Sequence, residues 1–315
     1  MKIFVAGATG VLGRRLIYHF RNRGHSVIGL VRSQKGQEIV NSLGGESCWG
    51  DLFDADSLAN AADGSDVVIH AATSIPVKSR ISPKDFKMND LIRRDGTRAL
   101  TSCAAKIGAK LYIQQSIVWV ARPSDGSFFD EDSPANPSPL IQSALDGEKI
   151  AREAGEHFDF TVSVLRCGWF YGADAAHTRV FGDGLLKRRF PIIGSGEAIL
   201  SCLHLDDAAS AFVKASETNQ TGIWHVVDEQ PVTVAELLTY FAELLGAPTP
   251  RRVPVWLARL LAGRHAVDFF TSSTRTSNAR FCREFGWTPR YPSYREGLGQ
   301  VVELWKSEGF LDMRG

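Results

Sequence analysis

The sequence lacks most of the features that would place it in a specialised class. It has five cysteines, Cys48, Cys103, Cys167, Cys202 and Cys282, odd in number and with no pair at zinc or redox spacing. A disulfide framework is therefore not expected, and a reduced, cytoplasmic chain is. The eight histidines never fall at the i, i+4 spacing of a helical metal pair, so no metal site is expected. No apolar run is long enough to span a bilayer, and the chain opens directly on a strand-like segment, so neither a membrane partner nor a leader peptide is expected. Charge is balanced to a formal net of +1, which removes any global pull toward nucleic acid or an anionic membrane. The short basic clusters at 93–94, 187–189 and 251–252 read as solvated faces. Repeats and low-complexity tracts are absent as well.

What remains is an ordinary globular composition, 44% hydrophobic and 23% charged over 315 residues, enough for one large α/β domain and a smaller lobe. The stretch that organises it is Val5-Ala6-Gly7-Ala8-Thr9-Gly10-Val11-Leu12-Gly13. An apolar segment, Lys2 to Val5, precedes it, and Leu12, Leu16, Ile17 and Phe20 follow at helical spacing. Strand, glycine turn and helix in that order form the context of a dinucleotide fingerprint. Gly7 would permit the tight turn, Gly10 would let a pyrophosphate approach the backbone, and Gly13 would let helix and strand pack closely. The helix N-terminus would supply amides and partial positive charge. Gly7, Thr9, Gly10, Val11, Leu12 and Gly13 are accordingly assigned to a dinucleotide cofactor.

The segment from His25 to Val31 reads as a second strand ending at Arg32. An acidic residue at this place accepts hydrogen bonds from the ribose of NAD, whereas arginine suits the 2′-phosphate of NADP, so Arg32 favours NADP with NAD as the alternative. A short strand near Cys48 leads to Asp51-Leu52. A fourth strand, from Asp66 to His70, exits through Ala71, Ala72 and Thr73, whose small size leaves room for a cofactor. The loop from Thr73 to Pro83 is the first candidate for touching substrate. A long helical stretch, about 84–108, precedes a fifth strand that ends at Ser116. Strands alternating with helices to about residue 165 predict an α/β fold, a Rossmann-type doubly wound parallel sheet with a smaller C-terminal α/β substrate lobe. The expected division is 1–165 plus about 200–227 for cofactor, and 166–199 plus 228–315 for substrate.

The glycine triplet, Asp51-Leu52, His70-Ala71-Ala72, Asp95-Gly96-Thr97, Ser116, Leu165-Arg166 with Tyr171-Gly172, and His204-x-Asp206-Asp207 together resemble the extended short-chain dehydrogenase/reductase family, the epimerase, dehydratase and reductase relatives. Ser277 to Arg280, Phe285 to Arg290 and Arg295 to Leu298 resemble that family's closing segment. The resemblance implies NAD(P)-dependent chemistry, an adenine contact at Asp51 and Leu52, a cofactor and substrate contact at Ser116, and a possible homodimer through helices at about 84–108 and 139–157.

One part of the family pattern is broken. The chemistry normally needs a tyrosine and, four residues later, a lysine that lowers its pKa and holds the nicotinamide ribose. The corresponding segment runs Ser138-Pro139-Leu140-Ile141-Gln142-Ser143-Ala144-Leu145-Asp146-Gly147-Glu148-Lys149. Alignment on Pro139, Ser143 and Glu148 puts Leu140 and Ala144 at the two positions; alignment on Lys149 puts Leu145 at the tyrosine. The first has three features behind it, and neither supplies a tyrosine. Tyr171 is the replacement acid nearest in the sequence logic, and Ser116 keeps a hydroxyl for a substrate oxygen, so these two are the catalytic candidates. Glu148 and Lys149 read as a solvated helix face. Leu200 stands where nucleotide-sugar enzymes carry an arginine, with Ala198, Ile199, Trp169, Phe170 and Phe181 nearby, which points to a small organic substrate that is not nucleotide-linked. His204, Asp206 and Asp207 are expected to cap and tether a helix. The proline-bearing stretch 124–139 is a candidate lid, and the apolar segment 254–263 a candidate roof. The expectation is an atypical NAD(P)-dependent oxidoreductase or isomerase. The alternatives are a non-catalytic NADP-binding sensor and a nucleotide-sugar epimerase or dehydratase with displaced catalytic residues.

Overall fold

A computed structural model describes residues 1–76 and 82–311. The first half alternates β1 (Lys2–Ala6), α1 (Val11–Asn22), β2 (Ser26–Val31), α2 (Gln34–Ser42), β3 (Glu46–Trp49), α3 (Ala55–Ala61) and β4 (Val67–His70). There follow α4 (Lys87–Leu91), α5 (Thr97–Lys106), β5 (Leu111–Ile117), α6 (Gln142–Phe158) and β6 (Thr161–Cys167). The expected single helix at about 84–108 is broken. Between α4 and α5 lies a π-helical segment, Ile92–Gly96.

The second half contains β7 (Trp169–Tyr171), α7 (Ala176–Leu186), β8 (Ile192–Ile193), β9 (Ile199–Leu200), β10 (Cys202–His204), α8 (Leu205–Thr218) and β11 (Gly222–Val226). It closes with β12 (Val232–Thr233), α9 (Val234–Leu244), β13 (Arg252–Val253), α10 (Val255–Ala262), α11 (Arg264–Thr271), α12 (Ala279–Phe285) and α13 (Tyr294–Ser307).

Seven strands form one sheet in the order β11-β6-β5-β4-β1-β2-β3, every pairing parallel. β1 is buried from Ile3 to Ala6, as a strand covered by helices on both faces must be. Leu16, Ile17 and Phe20 of α1 are fully buried beneath it, each contributing roughly 1.5–3 kcal/mol. Strand order reverses between β1 and β4, and open sheets of this kind bind ligands there, outside the carboxyl ends of the strands. His70, Ser116 and Cys167 all lie at that end, in register through the pairs His70–Gln114, Ser116–Arg166 and Ile117–Cys167.

A separate core gathers Tyr171, Leu185, Leu200, Cys202, Leu238, Phe241, Leu298 and Trp305 in the C-terminal part of the chain. Two of its helices begin with reciprocal capping boxes, Thr233–Glu236 on α9 and Ser293–Glu296 on α13. Among the described residues no helix is long and apolar enough to cross a membrane.

Candidate active site

The glycine turn is built as a close approach between β1, α1 and the exit of β4. Gly7 has φ of 91°, in the left-handed region, and a Cβ there would stand 2.5 Å from the Ala72 amide nitrogen. A Cβ on Gly13 would stand 2.1 Å from the Gly7 carbonyl. Gly10 is the N-cap of α1 and has no side chain to satisfy the first amides of the helix, which leaves them for an anion. Thr9 and Gly10 are exposed, Val11 is half-buried and Leu12 is buried in the core. Ala71 is buried, Ala72 half-buried and Thr73 exposed. A cradle with no room for a Cβ on its floor and free amides at its rim fits a pyrophosphate. Of the substrate loop proper, residues 77–81 lie outside the described residues; upstream, Ser74 donates its amide to Asn89 Oδ1 at 2.9 Å.

At the adenosine end, Ser33 caps α2 by accepting from the Gly36 amide at 3.1 Å. Arg32 is exposed at the end of β2 and pairs with no carboxylate among the described residues. Asp51 is exposed and accepts from the Phe53 amide, and Leu52 is half-buried against Gly96. Two arginines of α1 are already neutralised. Arg14 pairs with Asp174 at 2.6 Å, and Arg15 pairs with Asp174 at 2.8 Å and Asp206 at 2.6 Å. They tie the start of α1 to the segment after β7 and to α8. Counter-charge for a diphosphate is therefore left to the helix N-terminus.

At the other end of the cleft the hydroxyl of Ser116 donates to Glu148 Oε1 at 2.5 Å. Arg166 closes the cluster, with Nη2 at 2.7 Å and Nε at 3.2 Å from Glu148 Oε2. Both charged side chains are buried. Glu148 is thus not on a solvated face. It lies on the buried stripe Ala144, Gly147, Glu148, Ala151 and Gly155 of α6, and that spacing was the signal available in the sequence. Lys149, one residue on, is exposed as expected.

A second buried cation stands beside this cluster. Arg93, on the π-helical segment, is 7% exposed, and its guanidinium donates to no carboxylate among the described residues. Burial pulls it down to about 10 against the pull of Asp90 and Glu148. His70 Nε2 lies 3.1 Å from the Ile92 carbonyl, while Nδ1 accepts from the Ala72 amide at 3.3 Å. Burial holds this imidazole at about 4, so it is a neutral strut between β4 and the helix break.

The segment expected to align with the relay packs through apolar side chains. Ala144 and Leu145 cluster with Val120 and Ile117, and Leu140 is half-buried before α6 begins. Ser143 Oγ is buried there without a hydrogen-bond partner. Tyr171 belongs to the core of the C-terminal part of the chain. It is fully buried, edge-on to His204 at 5.2 Å, and a Cβ on Gly297 of α13 would fall 2.0 Å from its hydroxyl. The structure spends that phenol on helix packing, and burial raises its pKa far above 10, which makes it a poor acid.

His204 caps α8 through Nδ1, accepting from the Asp206 amide at 3.2 Å. Asp207 accepts from the Arg290 and Tyr291 amides at 2.7 and 3.0 Å, fastening the closing segment. The cap is the histidine rather than an aspartate. The 124–139 stretch is pinned and does not hang as a lid. Phe129 donates its amide to the Arg275 carbonyl at 3.1 Å, Glu131 accepts from the His225 amide at 2.9 Å, and Arg280 pairs with Asp132. Helix α10 matches the apolar segment 254–263, but Trp256 and Leu261 project outward at 68% and 66% exposure; on α11 it is Phe269 that stacks on Trp119, in the turn after β5.

A model of the NAD dependent epimerase/dehydratase family matches residues 3–226. The chain belongs to that family. A 3-diazoavenalumate denitrifying reductase from a Streptomyces species is 32% identical over 311 residues, covering 95% of this chain and all of the relative. A ceramide reductase from Caulobacter vibrioides is 24% identical, over 94% of this chain and 88% of the relative. Among solved structures, human epimerase family protein SDR39U1 (isoform 2) with NADPH superposes with a TM-score of 0.81 at 21% identity, covering 96% and 99% of the two chains. A dTDP-glucose 4,6-dehydratase from Streptomyces venezuelae, solved with NAD, gives 0.80 at 22% identity, with 98% of each chain covered. As a member of this epimerase/dehydratase family with reductases among its relatives, the chain is an NAD(P)-dependent oxidoreductase built on the extended short-chain dehydrogenase/reductase fold.

Proposed function

We propose that the chain is an NADP-dependent reductase of a small acceptor that is not nucleotide-linked, and that it works without a tyrosine–lysine proton relay. The observation that carries this reading is the apolar packing of Ala144 and Leu145 against Val120 and Ile117, where a relay would need an ionisable pair. Bound in the glycine cradle, a reduced nicotinamide supplies hydride, and an acceptor that becomes stable on taking up hydride alone, as a diazonium does by losing N2, needs no acid from the protein. The Streptomyces relative is named for a diazo substrate and a denitrifying reduction, which suits that class. Gly7, Gly10 and Gly13 with the α1 amides would hold the pyrophosphate, Ala71 and Ala72 would leave space beside it, and Arg32 with Lys35 would meet a 2′-phosphate at the start of α2. Arg93 would offer a buried positive charge near the strand ends, in the part of the site that Ala144 leaves without one. Leu200, fully buried in β9, supports a substrate without a diphosphate.

Two measurements test this. Thermal shift with NADPH, NADP, NADH and NAD should favour the phosphorylated pair in the wild type and lose that preference in Arg32→Ala. Oxidation of NADPH should then proceed with an aryl diazonium acceptor and not with simple ketones. Ketone turnover at comparable rates would refute the relay-free reading. Binding of NADPH with no turnover of any acceptor would favour the non-catalytic sensor, which loss of both relay residues also suits.

A further inference from the structure

A band of aromatic side chains runs across the ends of β5 and β6. Trp119, in the turn after β5, stacks on Phe269 of α11 with centroids 5.7 Å apart and planes 20° from parallel. Phe269 meets Phe270 at 5.1 Å, Phe270 meets Phe181 of α7 at 5.7 Å, and Phe181 stacks on Trp169 at 5.4 Å and 17°. Trp169 also packs against the cluster that holds Trp119, so the band closes on itself. Trp169, Phe181, Phe269 and Phe270 are half-buried and keep apolar surface uncovered. Trp119 is 8% exposed, and its indole N–H has no hydrogen-bond partner among the described residues. A donor buried in this way is left without the hydrogen bond it would make in water, which a ligand acceptor would restore.

Charge beside the band is unbalanced in one direction. Arg259 and Arg264 both reach Asp268 at 3.3 Å, and Asp268 precedes Phe269 in the chain. Arg122, three residues after Trp119, is half-buried and feels the same carboxylate without forming an ion pair with it. Two guanidinium groups thus share one carboxylate at the edge of an aromatic surface, and Arg122 has no ion pair with it.

We propose that the substrate is a planar aromatic acid, its ring held against the Trp119–Phe269 stack, an acceptor atom on the Trp119 indole N–H, and its carboxylate on Arg122. This rests on the reading of the strand ends as the site of reduction. Flat rings prefer offset or stacked partners at these separations, and a planar guanidinium matches a carboxylate through paired hydrogen bonds. An uncharged or aliphatic substrate would leave both features unused.

The test is isothermal titration of the NADPH-loaded protein with 4-hydroxycinnamate, 4-hydroxycinnamyl alcohol and cyclohexanepropanoate. The aromatic acid should bind at least about tenfold tighter than either comparator, the size of one charge-assisted hydrogen bond or one ring stack. Arg122→Gln should erase the preference for acid over alcohol while leaving the alcohol's affinity unchanged. Trp119→Phe keeps a ring in the stack and should weaken both aromatic ligands. Equal binding of all three ligands, no binding of any to a protein that still takes up NADPH, or an Arg122→Gln variant that keeps the acid preference would each overturn the proposal. Failure to bind NADPH would overturn the reading on which it rests. If Trp119→Phe does not fold, Phe269→Leu removes the other face of the stack and should show the same loss.

Discussion

Removing Glu148 should destabilise the protein more than removing any other carboxylate in it. The side chain receives two donors from Arg166, at 2.7 and 3.2 Å to Oε2, and the Ser116 hydroxyl at 2.5 Å to Oε1. Glu148→Ala would leave the Arg166 guanidinium, 5% exposed, with no counter-charge and Ser116 with no acceptor. Breaking a buried pair from one side typically costs 3–5 kcal/mol, because an uncompensated charge stays behind. About 4 kcal/mol is therefore expected, and Arg166→Met alone should cost a similar amount. The double variant Glu148→Leu with Arg166→Met removes both charges and should recover most of the loss, to within about 2 kcal/mol of wild type. Urea unfolding followed by far-UV circular dichroism measures all four proteins, with the m-value checked for constancy. A single-variant cost below about 1 kcal/mol, or a double variant as unstable as the sum of the singles, would refute the idea that this ion pair is a closed, mutually dependent unit.

Other outcomes follow from the same structure. Gly7→Ala and Gly13→Ala should each abolish NADPH binding, because the added methyl would lie 2.5 and 2.1 Å from backbone atoms; calorimetry with purified variants measures it. Gly297→Ala should lower the melting temperature through its clash with the Tyr171 hydroxyl, and Tyr171→Leu should partly restore it. Tyr171→Phe should leave turnover within about twofold of wild type, whereas a catalytic phenol would cost at least about a hundredfold. Acid should destabilise the fold: His70, His204 and His225 are held neutral by burial at about 4, 4 and 3, against 6.5 when unfolded. Their contribution is complete above pH 6.5 and is lost as pH falls toward 4, opposed by Asp207 and Asp228, which burial raises. Burial lowers His19, His25 and His177 as well, so the histidines outnumber the opposing carboxyls and the urea midpoint should fall as the pH is taken from 6.5 toward 4.

The parts of the fold legible in the sequence were those governed by local rules. Gly7, Gly10 and Gly13 between an apolar strand and an amphipathic helix gave the cradle, and alternating elements gave the parallel sheet. The Thr233–Glu236 capping box at the start of α9 is of the same local kind, since it needs only four residues. What was not legible depended on partners distant in the chain. Glu148 looks like a surface residue until Arg166 is set against it 18 positions later, and Ser116 looks like a free hydroxyl until that carboxylate accepts its hydrogen bond. Tyr171 looked available because its neighbours in sequence are at the strand ends. It is Gly297, more than a hundred residues away, that closes over it. The helix break at Ile92–Gly96 has no proline to announce it; the His70 ring against the Ile92 carbonyl is its visible support.

These distant contacts bear on how the relay could be lost while the site was kept. A tyrosine and lysine at 140 and 144 would require the first turn of α6 to face the cleft with two polar tips. Here that turn packs inward through Ala144 and Leu145, and the buried polar groups near the strand ends are Ser116, Glu148 and Arg166, with Arg93 alongside. Restoring the pair therefore tests whether position alone is missing. Leu140→Tyr with Ala144→Lys should bind NADPH like wild type yet gain little ketone reductase activity. The new lysine would sit near Arg93, and two cations at close range in a buried site cost several kcal/mol unless one gives up its proton. Adding Arg93→Asn removes that repulsion, so the triple variant should exceed the double in ketone turnover by tenfold or more. Equal activity in the double and triple variants would show that Arg93 does not reach the part of the site where a relay lysine would stand.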